Sequence, residues 1–65
     1  MNTLLTKVTH FVLDLQYYPY TIYIHSGSNI LYKYYFKDKD EAYKALSEMS
    51  KELLEYKLKR SRNGL

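Results

Sequence analysis

Apolar and polar positions change period along this chain, and the changes divide it into parts. From residue 39 onward the period is helical. Ala42, Ala45, Leu46, Met49, Leu53 and Tyr56 recur at spacings of three and four and make one stripe. Asp38 stands where a cap belongs and Glu41 follows three residues later, so carboxylate oxygens can accept from the free amides of a first turn. Asp40–Lys44, Lys51–Glu55 and Glu55–Lys59 are i,i+4 pairs that each add a few tenths of a kcal/mol. The spacing predicts a helix from Lys39 to Leu58 or Lys59, with 61–65 as a frayed tail.

Between Tyr17 and Phe36 the pattern is that of strands. This stretch holds seven of the nine tyrosines. Residues 20–25 and 30–36 are dense in aromatic and β-branched residues and flank Ser26-Gly27-Ser28, which reads as a turn. Two registers compete. Pairing Ile24 with Leu31 sets Ile22 opposite Lys33 and puts a charge on the isoleucine face. Pairing Ile24 with Ile30 sets Ile22 by Tyr32, Tyr20 by Tyr34 and Tyr18 by Phe36, a wholly apolar or aromatic face. A slip of one residue moves every side chain across the sheet, so the second register is expected, closed by a three-residue loop. The opposite face then carries Thr21, Tyr23, Leu31, Lys33 and Tyr35.

The opening segment supports two readings. Leu4, Leu5, Val8, Phe11, Val12 and Leu15 fall at helical spacing, with Lys7, His10 and Asp14 opposite. Asn2 or Thr3 can cap such a helix, and Pro19 follows where a stop belongs. Leu13 is its misfit. Residues 8–12, by contrast, are rich in strand formers, and Phe11, Leu13 and Leu15 alternate. A strand here requires residues 17–20 to turn, with a cis proline as one route. The fold class is α+β. The expected order is αββα, a Tyr-rich antiparallel hairpin covered on one face by helices. The alternative is βββα, a three-stranded antiparallel sheet plus one C-terminal helix.

At 65 residues the chain is a single small domain, able to bury only about 60% of the surface its unfolded form exposes. It has no cysteine, so neither disulfides nor thiolate metal sites arise, and a reducing, cytoplasmic setting is expected. No basic region followed by an apolar run marks a signal peptide, and no apolar stretch is long enough to span a bilayer. The net charge of +3 permits an acidic partner without requiring one. Phe, Tyr, Met, Ile, Asn and Lys supply 27 residues against 7 from Gly, Ala, Arg and Pro, a bias that points to an AT-rich genome such as that of a low-GC bacterium or its phage.

Candidate chemistry is sparse. His10 and His25 lack the spacing of a helical zinc pair and read as surface histidines. Asp38, Asp40 and Glu41 lack the spaced ligands and turn glycine of a calcium loop and are explained by capping. Ser26-Gly27-Ser28 is too short to cradle a phosphate. No catalytic residue, metal ligand or cofactor is therefore expected, and the chain reads as a non-enzyme.

The tyrosines carry more. So small a core cannot satisfy nine buried hydroxyls, so some rings must face outward, where tyrosine offers a large rigid contact area at low entropic cost. Tyr23, Leu31, Lys33, Tyr35 and Tyr17 are the expected partner-binding set. Lys33, Lys57, Lys59, Arg60 and Arg62 are the set that a nucleic-acid reading would use, with tyrosines stacking on bases.

The passage from Phe36 through Lys37-Asp38-Lys39-Asp40-Glu41-Ala42 resembles the strand-to-helix junction of many small sheet-plus-helix domains, the arm-type DNA-binding domains of phage integrases among them. Those read DNA with a three-stranded sheet. The glycine-containing segment that precedes the phenylalanine in that family is missing here, and the resemblance is confined to this junction.

Two functions follow as expectations. The first is a small accessory or inhibitor protein, phage or mobile-element encoded, that docks an aromatic sheet face onto a larger protein or nucleoprotein; antagonists of host defence such as CRISPR inhibitors are objects of this size. The second is a nucleic-acid binder. A homodimer formed through open hairpin edges is compatible with both.

Overall fold

The computed structural model describes residues 5–63, with side chains through Lys59. The element order is β1 (His10–Asp14), β2 (Tyr20–Ser26), β3 (Asn29–Phe36) and α1 (Lys39–Asn63). The strands form one antiparallel sheet in the order β1-β2-β3. This is the βββα arrangement, and the helical reading of residues 4–15 is corrected over 5–15, Leu4 lying outside the described residues.

The correction has a physical cause. A lone hairpin leaves both edges of β2 and β3 to solvent or partner, whereas a third strand places β2 at the centre and pairs its backbone on both sides. Phe11 pairs with Ile24 and Leu13 with Ile22. Leu13, the misfit of the helix, thereby joins the isoleucine face. Leu5 and Val8 still reach the core, but from the turn that precedes β1. Val8 is buried with Ile24 and Leu53, and Leu5, Phe11, Leu31 and Met49 pack around them. The chain reverses between β1 and β2 through residues 15–19, where the Tyr18–Pro19 peptide is cis.

The hairpin resolves a conflict between its turn and its faces. Ser26 pairs with Asn29, so the loop is the two residues Gly27-Ser28. Gly27 has φ of 62° and Ser28 does not share that sign, which is the type II′ geometry favoured in right-twisted hairpins. Continued without interruption, this closure would set Ile22 opposite Lys33. Instead the register shifts at one point: His25 pairs with Ile30, but Ile24 pairs with Tyr32. Leu31 is the extra residue of a β-bulge. Beyond it Ile22 faces Tyr34 and Tyr20 faces Phe36, so the apolar face is recovered two residues away from the expected register.

The bulge also exchanges two side chains. Leu31, expected on the outer face, packs against the core. Ile30, expected beside Ile24, stands opposite His25 and is exposed. Removing Leu31 should leave every other pair of the hairpin in place, at a cost of about 1–2 kcal/mol for the lost apolar burial. Cross-strand nuclear Overhauser contacts between Ile24 and Tyr32, and between Ile22 and Tyr34, should persist in the deletion variant. Their replacement by contacts from Ile22 to Lys33 would show that the bulge is not what sets the faces.

The helix begins as its cap predicts. The Asp40 amide donates to Asp38 Oδ1 at 2.9 Å, and the Ala42 amide donates to the Asp38 carbonyl at 3.1 Å. The stripe is realised: Ala42 and Leu53 are buried, and Ala45, Leu46, Met49 and Tyr56 are half-buried. The helix continues to Asn63, past the expected end at Leu58 or Lys59 and into the segment expected to fray; residues 64–65 lie outside the described residues. Among the described residues no helix is long and apolar enough to cross a membrane.

Candidate functional site

The helix covers the face that carries Phe11, Leu13, Ile22 and Ile24, and so the other face of the sheet is open. Its side chains follow from the pairing, because directly opposite residues share a face. They form three rows across the strands: His10–His25–Ile30, Val12–Tyr23–Lys33 and Asp14–Thr21–Tyr35.

The first row begins at the edge of β1. The Thr9 amide donates to the His25 carbonyl at 2.8 Å, and the Thr9 hydroxyl donates to the same carbonyl at 3.2 Å. That hydroxyl also accepts from the Gly27 amide at 2.9 Å, tying the entry of β1 to the hairpin turn. His10 Nδ1 lies 2.9 Å from Thr9 Oγ1. All three contacts are satisfied together when Nδ1 of His10 carries a proton and donates. The His10 and His25 rings stack with centroids 4.6 Å apart at 16°. Nδ1 of His25 is buried without a hydrogen-bond partner.

The middle row is the aromatic centre. Tyr23 is half-buried on the central strand and meets His25 edge-on at 6.4 Å. The Lys33 ammonium lies 6.0 Å from the Tyr23 ring centroid, at the outer limit of a cation–π contact. Val12, on the other flank, is exposed. In the third row Tyr35 is 63% exposed, the largest free ring on this face. Thr21 beside it is buried, and its hydroxyl donates to the Pro19 carbonyl at 3.0 Å. Asp14 Oδ1 accepts from the Gln16 amide at 2.9 Å, so this carboxylate is engaged in the turn after β1.

Of the expected partner-binding set, Tyr23, Lys33 and Tyr35 are brought together on this face. Leu31 is not, for the reason given above. Tyr17 lies in the β1–β2 turn, exposed, with its hydroxyl accepting from Gln16 Nε2 at 3.4 Å. The sequence reading missed Val12, Ile30 and the stacked histidines. The signal for the histidines was a third strand: once His10 pairs with His25, both rings must share a face.

Among the described side chains, Lys33 stands apart from Lys57 and Lys59. Lys33 is on the open face, across the sheet from α1. Lys57 and Lys59 border separate clefts of the helix side, the first with His10 and Leu54, the second with Leu5, Glu52 and Glu55. The side chains of Arg60 and Arg62 lie outside those described.

The helix side also holds a cleft of about 420 Å³ walled by Val8, Phe11, Ile24, Tyr34 and Met49, with Glu48 and Glu52 at its lip. Its walls are the core itself, and it offers apolar surface with no converging pair of acid and base. Among the described residues no three His, Asp or Glu side chains gather as a metal site. No protein-family model, no curated protein and no solved structure matches this chain.

Proposed function

We propose that the chain is a small non-catalytic accessory or inhibitor protein that docks its open sheet face onto a larger protein or nucleoprotein. One observation carries the reading. Tyr35, Val12, Ile30 and Lys33 stand exposed on a face that the helix leaves uncovered, around a Tyr23 already braced by His25 and Lys33. Tyrosines on a sheet are rigid, lose few rotamers on binding and match what protein interfaces enrich at their centres. A phage or mobile-element origin, with a host-defence protein as the target, is supported by the AT-rich residue bias and by size.

The test is capture by the tagged chain from a low-GC bacterial host, with and without nuclease. Tyr35→Ala removes the most exposed ring of the face, and Lys44→Ala, on an exposed position of α1, serves as control. A central interface tyrosine contributes about 2 kcal/mol or more, or roughly 30-fold in affinity. The captured protein should be lost with Tyr35→Ala and kept with Lys44→Ala, and it should survive nuclease. Equal recovery by both variants, or recovery of nucleic acid alone, would overturn the reading.

A further inference from the structure

The open face accounts for Tyr23 and Tyr35 but not for Tyr32 and Tyr34. Those two point to the helix side, yet they are 53% and 42% exposed. They lie on β3, an outer strand of the sheet, and their rings stack along it with centroids 6.4 Å apart at 21°. Among the described residues β3 has a pairing partner on one side only. It is also the longest strand, at 8 residues. An edge of this kind presents a row of free amides and carbonyls and is a template for another strand. Its bulge sits at Leu31, near the turn, and leaves residues 32–36 regular.

We infer that this edge pairs with the same edge of a second copy, about a two-fold axis at Tyr34, to give a six-stranded sheet. Two identical strands that pair antiparallel by a two-fold axis keep their faces, so the axis passes through one residue and like parity meets like. Residues 32–36 offer five centres, and centring on Phe36 runs the pairing past the end of β3. Centring on Lys33 sets two ammonium groups directly opposite. Centring on Tyr35 sets Lys33 against Lys37. Both are disfavoured by like charge. Centring on Tyr32 runs the pairing through the bulge.

Only Tyr34 remains. There Tyr34 meets its own copy, Tyr32 meets Phe36 twice, and Lys33 meets Tyr35 twice. Every pair is aromatic–aromatic or cation–aromatic, the combinations that stabilise neighbouring strands. The axis stands perpendicular to the sheet, so both helices lie on one side and both open faces on the other. The two docking faces become one continuous surface, crossed at its seam by the two Lys33–Tyr35 pairs. The inference stands apart from the docking reading, because it concerns the free chain.

Five residues from each copy make a small interface, so a dissociation constant of roughly 10–100 μM is expected. Sedimentation of the wild-type chain should give twice the monomer mass at about 0.5 mM and monomer on dilution below the micromolar range. Position 34 is its own partner, and this allows a sharper test. Tyr34→Glu alone and Tyr34→Lys alone place like charges on the axis and should each be monomeric. Mixed at equal concentration they should dimerise as a heteropair. Far-UV circular dichroism of each variant reports that the fold is kept. A register check uses the absence of cysteine in the chain: Tyr34→Cys should oxidise to a covalent dimer, and Leu54→Cys, exposed on α1, should not. A wild-type monomer at the higher concentration would sink the inference, and so would folded Glu and Lys variants that fail to pair when mixed.

Discussion

Ile22→Ala is expected to unfold the protein at room temperature. Ile22 is 0% exposed and sits on the central strand, between Leu13 of β1 and Tyr34 of β3. Its deletion removes three methyl or methylene groups from the best-buried side chain of the sheet. Isoleucine-to-alanine changes at such sites cost about 2–5 kcal/mol, a transfer loss plus the cavity left behind. A single core in a domain of this length supplies only about 3–5 kcal/mol in total. The two quantities are of the same size, so the folded population should collapse rather than shift. Neighbouring strands cannot close the gap cheaply, because β2 is fixed on both sides by backbone pairing. Urea unfolding followed by circular dichroism should show a clear baseline for wild type and none for Ile22→Ala. Ile30→Ala supplies the contrast: the same change on the open face should leave the midpoint nearly unmoved. A cooperative Ile22→Ala transition within a few tenths of a kcal/mol of wild type would mean that the core lies elsewhere.

That contrast depends on which isoleucine faces where, and here the sequence was only partly readable. Alternation placed Ile22, Ile24, Tyr32 and Tyr34 on one side and Tyr23, Lys33 and Tyr35 on the other, and the structure keeps those sides. What alternation could not supply was the bulge. Local turn chemistry wanted a two-residue loop with Gly27 first, while the faces wanted even parity, and the two are incompatible in a regular hairpin. A three-residue loop satisfies the faces but gives up that turn. The chain instead takes the favoured turn and absorbs the mismatch at Leu31, which exchanges Leu31 and Ile30 between faces. A pattern reading that weighed turn type as heavily as parity would have met this choice.

The first strand was hidden for a different reason. Leu5, Val8, Phe11 and Val12 satisfy helical spacing, and Phe11, Leu13 and Leu15 satisfy strand spacing, in the same few residues. Spacing cannot decide between them. Pairing does, because this segment gives β2 a partner on its second side. The loss carried over to the candidate site. Read as helix, the segment puts Val12 and His10 on helix faces and outside the docking set, although they complete two of its three rows. The helix was readable because cap and stripe agree, each pointing to a start at Lys39.

The helix bears on the docking face only through the sheet, and Ala42→Leu should expose that link. Ala42 is 0% exposed and lies in the first turns of α1, where the helix rests on the strands. A methyl group is all that this approach accommodates; elsewhere the stripe carries Leu46, Met49 and Leu53. Three further carbons must lift this end of the helix or force a strained rotamer, at about 1–3 kcal/mol, again comparable with the whole stability of so small a domain. The lift starts beside the Asp38 cap, so the amide of Asp40 should lose protection first. Hydrogen exchange should show that amide and the first turns of α1 exchanging far faster in Ala42→Leu than in wild type. Exposed Tyr43→Leu, one residue along, should change neither exchange nor midpoint. The open face lies across the sheet from α1. Any fall in partner capture by Ala42→Leu should therefore track the unfolded fraction, and stabilising the chain with an osmolyte should restore it. Tyr35→Ala should lose capture with the fold intact, and no osmolyte should recover it. Should Ala42→Leu bind poorly while fully folded, the helix would be part of the docking surface and the sheet would not act alone.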